Sequence, residues 1–178
     1  RDTALQALDA LARFSPELVE QPVPADALDA LAFVRERSPI AIAADEALVD
    51  AERAERVLEL GAADWLVLKP GALGGLRACL RLAERARAAG VGVFVTSGLD
   101  GAVARAAALA LAAALPEPLP ACGLATGSLL AGDLARVPRP ELGQLEVPAA
   151  PGLGVRISRR TLARHRDEKA VRIAEPAR

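Results

Sequence analysis

Polar residues close four short apolar runs at nearly regular intervals. They are Glu20 in ELVEQP, Asp45 in IAIAADE, Lys69 in WLVLKP and Ser97 in VGVFVTSG, at spacings of 25, 24 and 28 residues. Helical stretches lie between the runs, so each interval has the length of one βα unit. Because the carboxyl ends of parallel strands share one edge of a sheet, we expect these four side chains to converge there, where α/β proteins build their sites.

Lys69 is unusual in a chain that prefers arginine. Only two of the 22 basic residues are lysines, Lys69 and Lys169. An ammonium group is compact and can lose its proton when it is desolvated, whereas a guanidinium stays charged. A lysine at the end of a buried run is therefore a candidate for proton chemistry or for a point charge aimed into a pocket. The alternative is a lysine that snorkels to the surface from a strand end.

Two carboxylates on neighbouring strands suggest a metal site. Together with a third oxygen ligand, Glu20 and Asp45 would form the incomplete cage in which Mg²⁺ also binds water and substrate oxygens. Such a cation can bind a substrate carboxylate and stabilise the enediolate that forms when the α-proton leaves. Lys69 is the candidate base, because the one histidine, His165, lies in the charged tail RTLARHRDEK.

The fourth strand end offers groups for a second anionic part of the ligand. Ser97 and Gly98 carry a hydroxyl and backbone N–H groups, and the helix that begins near Asp100 adds its N-terminal dipole. In the adjacent KPGALGG, the glycines serve the turn into the next helix, since the segment lacks the spacing of a phosphate-binding P-loop.

Composition limits the class of protein. The chain has 178 residues, is 52% apolar and carries a net charge of -1, as expected for one soluble globular domain. Aromatic residues make up only 2% and there is no basic excess, so we expect no nucleic-acid partner. No apolar run reaches the roughly 18 residues of a membrane span. Cys79 and Cys122 lack metal or redox spacing, which favours core packing in a reducing cytoplasm.

The order of elements predicts a parallel α/β sheet. Apolar runs, including the weaker PACGLATGS, alternate with helical stretches such as DALDALAFVRER and DAERAERVLEL. Gly61 and Gly90 each follow a helix where a left-handed cap is expected. The sequence contains no methionine and opens in helical rhythm at RDTALQALDALARF, so we expect a fragment of a longer protein.

Three motifs in order give a resemblance to a known family. LVEQPVPADALDAL, IAIAADEAL and WLVLKPGALGGL resemble the muconate-cycloisomerase-like branch of the enolase superfamily, and ACGLATGSLLAGDL and APGLGVRIS look most like the o-succinylbenzoate synthases of menaquinone biosynthesis. The resemblance spans about residues 1–158. It implies an α/β fold: a partial (β/α)8-type, TIM-like barrel of about five βα units. We expect that barrel at residues 1–146 and a C-terminal extended segment and charged tail at 147–178.

The resemblance also assigns roles to the strand-end residues. It implies that Glu20 and Asp45 bind Mg²⁺ and that Glu46 contacts these ligands and not the ion itself. It also implies that Lys69 faces the enediolate as a cation or exchanges a proton with the substrate. A further group would lie beside the succinyl part of the substrate: Ser97, Gly98, Gly123 and Leu124.

Several family features are missing from this chain. The Lys-x-Lys of the second barrel strand, the first metal aspartate, the first strands and the N-terminal capping domain are not found in it. The resemblance therefore implies that the rest of the same enzyme is a required partner and that this piece is inactive alone. Arg105 in TSGLDGAVARA also departs from the family, which carries fewer charges there.

The reaction that the resemblance implies for the full-length protein is an Mg²⁺-dependent dehydration. Its substrate, a small carboxylate, is 2-succinyl-6-hydroxy-2,4-cyclohexadiene-1-carboxylate and its product is 2-succinylbenzoate. An N-acylamino-acid racemase with the same metal site and lysines is the second candidate, whereas ACGLATGS lacks the Asp-x-Asp of dipeptide epimerases. A non-catalytic, open-sheeted α/β domain that binds a small anion is the candidate from another class.

Overall fold

The computed structural model describes residues 1–116 and 118–165, and strands alternate with helices over the first two thirds of the chain. In chain order the elements are α1 (Asp2–Ala12), β1 (Val19–Glu20), α2 (Leu28–Arg37), β2 (Ile42–Ala44), α3 (Ala51–Glu59), β3 (Trp65–Leu68), α4 (Leu76–Ala88), β4 (Gly92–Val95), α5 (Ala102–Ala114), a 3₁₀ turn (Thr126–Leu129) and α6 (Arg159–Arg164). The strands pair in parallel in the order β1-β2-β3-β4. This confirms the predicted succession of βα units. The end of the predicted charged tail, residues 166–178 with Lys169, lies outside the described residues.

The fifth apolar run pairs with the sheet at one residue. Gly123 forms a single parallel bridge with Thr96. Its N–H donates to the carbonyl of Val95 at 3.0 Å, and its carbonyl accepts from the N–H of Ser97 at 2.8 Å. Prolines at positions 116, 118 and 120 precede it, and each lacks the N–H that a longer ladder would need. The described sheet therefore has four strands and a bridge where five strands were expected.

Strand side chains alternate between two apolar environments, as the two-residue period of a strand requires. One face of the sheet packs against the helices and forms most of the core. Its strand residues are Ile42, Ala44, Leu66, Leu68 and Val95, and they belong to one cluster with helix residues such as Leu31, Val57, Leu82 and Leu111. The opposite face carries a small separate cluster of Ala43, Val67 and Phe94, with Leu18, Trp65 and Cys122 packed against it. The division at residue 146 stays a prediction.

Both predicted glycine caps are confirmed. Gly61 ends α3 with φ 57° and Gly90 ends α4 with φ 73°. In each case the N–H of the next residue donates to a carbonyl five residues back, from Ala62 to Val57 and from Val91 to Ala86. This bond pattern is a Schellman motif. It ends α3 and α4 and reverses the chain toward β3 and β4.

Trp65 packs against Phe94 and against a glycine on the neighbouring strand. Its ring lies edge-on to Phe94 with the ring centroids 6.4 Å apart. A Cβ at Gly92, its register partner on β4, would lie 2.3 Å from the indole. Residue 92 therefore has to be a glycine for the indole to lie flat against the neighbouring strand.

The two cysteines are free thiols. Cys79 lies in the core, where burial raises the pKa of its thiol to about 11, and Cys122 is half-buried. These positions agree with the packing role predicted for both.

Over the part of the chain that the structure describes, every helix is too short or too polar to cross a bilayer.

Candidate functional site

The predicted polar residues lie along one edge of the sheet. Glu20 is the last residue of β1, Asp45 follows β2 directly and Lys69 follows β3 directly. Ser97 comes two residues after β4. The parallel register brings these ends side by side, since β1 pairs with β2, β2 with β3 and β3 with β4.

Asp45 and Lys69 are in direct contact. The ammonium of Lys69 donates to both carboxylate oxygens of Asp45. The Asp45 side chain is 6% exposed and the Lys69 side chain is 30% exposed. Lys69 therefore does not extend freely into solvent, which is what the snorkelling alternative requires. A cation at this point neutralises a carboxylate that would be costly to bury alone.

Three carboxylates meet beside this pair. Glu20, Asp45 and Glu46 each place one oxygen within 4.8 Å of the others. Desolvation, a hydrogen bond with Asp45 and the negative charges of Asp45 and Glu46 raise the pKa of Glu20 to about 7, although the charge of Lys69 opposes this. One cation is thus not enough to balance the cluster. Hard carboxylate oxygens at this spacing are the donor set that Mg²⁺ or Ca²⁺ takes, so the residues fit a divalent ion.

Gln21 joins the loops that follow β1 and β2, next to these carboxylates. Its Oε1 accepts from the N–H groups of Asp45 at 3.0 Å and Ala47 at 3.1 Å. Its Nε2 donates to the carbonyl of Val23 at 3.1 Å. The backbone of Gln21 has φ 42°, in the left-handed region that a long side chain seldom adopts.

The corner formed by Ser97, Gly98 and Gly123 exists, but its donors are used within the chain. Thr126 Oγ1 donates to the carbonyl of Gly98 at 2.7 Å and lies 3.0 Å from Ser97 Oγ. A hydroxyl has one hydrogen, and that of Thr126 is donated to Gly98, so Ser97 Oγ is the donor to Thr126 Oγ1. The N–H of Ser97 binds the Gly123 carbonyl and that of Gly98 binds Asp100 Oδ2. Donation to a substrate anion from this corner therefore requires one of these bonds to exchange.

Leu124 lines a cavity in the C-terminal part of the described chain. The cavity has a volume of about 1250 Å³ and lies between residues 124–140 and the segment that includes Arg156, Ser158 and Thr161. None of the residues Glu20, Asp45, Glu46 and Lys69 lines that cavity. The structure brings the two acids and the lysine together.

Arg105, the departure noted in the sequence, is buried and paired. Its side chain is 8% exposed and its Nη1 donates to Asp133 Oδ2 at 2.9 Å and to the carbonyl of Asp100 at 2.8 Å. Asp133 Oδ1 accepts from the N–H of Ala102, the first residue of α5, and from that of Leu134. Burial raises the pKa of Asp133, but these two N–H donors and Arg105 outweigh it and lower the pKa below its usual value.

Sequence reasoning assigned no role to three polar residues of this region. Gln21 was visible inside the Glu-Gln-Pro motif, Thr126 in ACGLATGS and Asp133 in LLAGDL. Each acts by binding groups that are distant in the sequence. Spacing along the chain therefore carries no signal for them.

A sequence profile of the family described as enolase C-terminal domain-like matches residues 1–161. The chain belongs to the enolase C-terminal domain-like family. The curated relatives include an o-succinylbenzoate synthase from Thermobifida fusca (strain YX), 49% identical over 137 residues, which are 77% of this chain and 42% of that protein. The o-succinylbenzoate synthase of Mycobacterium tuberculosis (strain ATCC 25177 / H37Ra) is 45% identical over 145 residues, 81% of this chain and 43% of that one. The chain thus spans less than half the length of these relatives.

Solved structures of this family superpose on the chain. Muconate lactonizing enzyme from Pseudomonas putida matches with a TM-score of 0.83 and 32% identity, over 92% of this chain and 46% of that chain. N-succinyl Arg/Lys racemase from Bacillus cereus ATCC 14579 matches with a TM-score of 0.82 and 28% identity, over 90% and 43% of the two chains. These matches confirm the predicted fold, a partial barrel of the enolase C-terminal type.

Proposed function

We propose that the full-length protein that carries this chain dehydrates 2-succinyl-6-hydroxy-2,4-cyclohexadiene-1-carboxylate to 2-succinylbenzoate, a step of menaquinone biosynthesis. The observation that carries the proposal is the contact of Lys69 with Asp45 beside Glu20 and Glu46, at the carboxyl edge of the sheet. The similarity to o-succinylbenzoate synthases, up to 49% identity over 137 residues, supports this choice of substrate.

Glu20 and Asp45 hold a divalent cation in this proposal, with Mg²⁺ as the ion. Glu46 lies close enough to bind it directly or to orient the other two carboxylates. A bound divalent cation attracts the substrate carboxylate and neutralises the negative charge that develops when the α-proton is lost. The raised pKa of Glu20, about 7, supports a site that favours additional positive charge.

Lys69 supplies the second positive charge. Its ammonium is held by Asp45, and in the proposal it faces the substrate carboxylate and the carbon that loses its proton. Because the Lys69 side chain is half-buried, its charge acts through a medium of lower polarity than water, in which its attraction to an anion is stronger. Proton abstraction itself falls to a group elsewhere in the full-length protein, with Lys69 as the electrostatic partner or as the group that exchanges a proton on the opposite face.

Ser97, Gly98, Gly123 and Leu124 remain the proposed contacts of the succinyl part. The N–H and hydroxyl donors of Ser97 and Gly98 are already bound to Gly123, Thr126 and Asp100. This corner therefore contacts the substrate through its shape and apolar surface, and it donates hydrogen bonds only if one of these bonds is exchanged. The proposed partners are a small carboxylate substrate and the remainder of the same enzyme. We place the reaction in the cytoplasm, which suits the free thiols Cys79 and Cys122.

The test is an assay of the full-length protein for 2-succinylbenzoate formation, followed by its ultraviolet absorbance. Wild-type protein should require Mg²⁺ and lose activity with a chelator. Lys69→Met keeps the length of the side chain but removes the charge, and it should lower kcat by at least 10²-fold, the usual lower range for a positioned charge or acid–base group. Lys69→Met protein with full activity would remove Lys69 from the mechanism.

A racemase of N-acylamino acids is the second candidate, and the similarity to N-succinyl Arg/Lys racemase favours it. Both reactions begin with loss of an α-proton, so the same site serves either. Incubating full-length protein with N-succinyl amino acids in D₂O separates them, because only a racemase exchanges the α-proton and interconverts the enantiomers. Protein that binds anions and does neither reaction is the outcome expected of a non-catalytic domain.

A further inference from the structure

Gln21 holds an unfavourable backbone conformation close to the carboxylates. A non-glycine residue in the left-handed region is strained and persists only where its surroundings enforce it. Here the N–H of Gln21 continues the β1–β2 pairing by donating to the carbonyl of Ala43 at 2.9 Å. The chain thus turns sharply immediately after Glu20, and the turn sends the Gln21 side chain toward the loop after β2.

The amide of Gln21 binds that loop on both sides of Glu46. One oxygen, Oε1, accepts from the N–H of Asp45 and from the N–H of Ala47. On the other side, Nε2 is bound to the carbonyl of Val23. The half-buried side chain therefore uses three of its four hydrogen-bonding positions to tie the loop after β1 to the loop after β2.

Glu20 ends β1 immediately before the first of these loops, and Asp45 and Glu46 lie on the second. Three carboxylates within 4.8 Å of one another repel, and loops without a tie would separate to reduce that repulsion. We propose that Gln21 is a positioning residue: it fixes the spacing of the three carboxylates and thereby the affinity of the cluster for a divalent cation. This deepens the proposed function and rests on its metal site.

The experiment measures Mn²⁺ binding to the full-length protein by calorimetry, without substrate. Gln21→Gly removes the amide and also relieves the backbone strain, so a loss of affinity cannot be ascribed to a strained fold. Gln21→Met keeps the size of the side chain but not its acceptor. Ser15→Gly is the matched control, since Ser15 also has a positive φ, 51°, and is exposed just after the turn that follows α1.

We expect the Kd for Mn²⁺ to rise about tenfold in both Gln21 variants, which corresponds to the loss of one or two hydrogen bonds. Hydrogen exchange at the N–H groups of Asp45 and Ala47 should become faster, while Ser15→Gly leaves both measurements unchanged. A merely structural role would lower the melting temperature and leave Kd within twofold of wild type, and that result overturns the inference. Wild-type protein that binds no Mn²⁺ overturns the metal site as well.

Discussion

The ion pair between Arg105 and Asp133 offers a quantitative test of the packing around α5. Asp133→Ala removes the acceptor of three donors: the N–H groups of Ala102 and Leu134, at 2.8 and 2.7 Å, and the Arg105 guanidinium at 2.9 Å. Breaking a buried ion pair costs about 3 to 5 kcal/mol, because the remaining charge is left unpaired. Asp133 is 17% exposed, so water partly replaces it and we expect about 3 kcal/mol.

The assay is urea unfolding of the full-length protein at neutral pH. Asp133→Ala should lower the free energy of unfolding by that amount, whereas adding Arg105→Met should recover part of the loss, because no buried charge then lacks a partner. Since the pKa of Asp133 is lowered, its contribution is complete above the ordinary aspartate range and is lost as the pH falls through its folded value. A loss below about 1 kcal/mol, or strictly additive single and double variants, would refute the reasoning.

Three further outcomes are expected. Gly92→Ala should destabilise by about 1 to 3 kcal/mol in thermal unfolding, because its methyl group would lie 2.3 Å from an indole atom; Gly71→Ala, where no atom lies within 4 Å, should change little. In chelator, stability should fall as the pH rises from 4.5 to about 7, because folded protein holds a proton on Glu20 that unfolding releases, and Glu20→Gln should flatten this profile. Cys79 should resist iodoacetamide in native protein at pH 8 and react after unfolding, as mass spectrometry of the peptides will show.

The spacing of polar residues predicted the edge of the sheet because geometry leaves little choice. Parallel strands joined by helices all end on the same side, so Glu20, Asp45 and Lys69 had to approach one another once the strands were identified. The caps at Gly61 and Gly90 were equally local, since a left-handed residue after a helix needs only the residue type.

Contacts that depend on side-chain direction could not be predicted in the same way. The sequence indicated Ser97 as a donor to a ligand, but its partner Thr126 lies 29 residues away and takes its hydrogen. Gln21 and Asp133 likewise bind groups 24 to 31 residues distant. Such bonds depend on how the segments pack, which periodicity does not encode. The sequence showed Arg105 only as a departure from the family, because its partner Asp133 cannot be recognised there.

The weak pairing at both margins of the sheet has a practical consequence. Within the described residues, β1 has two residues and pairs on one side with β2, and beyond β4 a single bridge at Gly123 is the last contact. Unpaired N–H and C=O groups at such borders recruit strands from other molecules. Recombinant protein limited to these residues should self-associate, so biochemical work on this sequence should begin from a longer expression product.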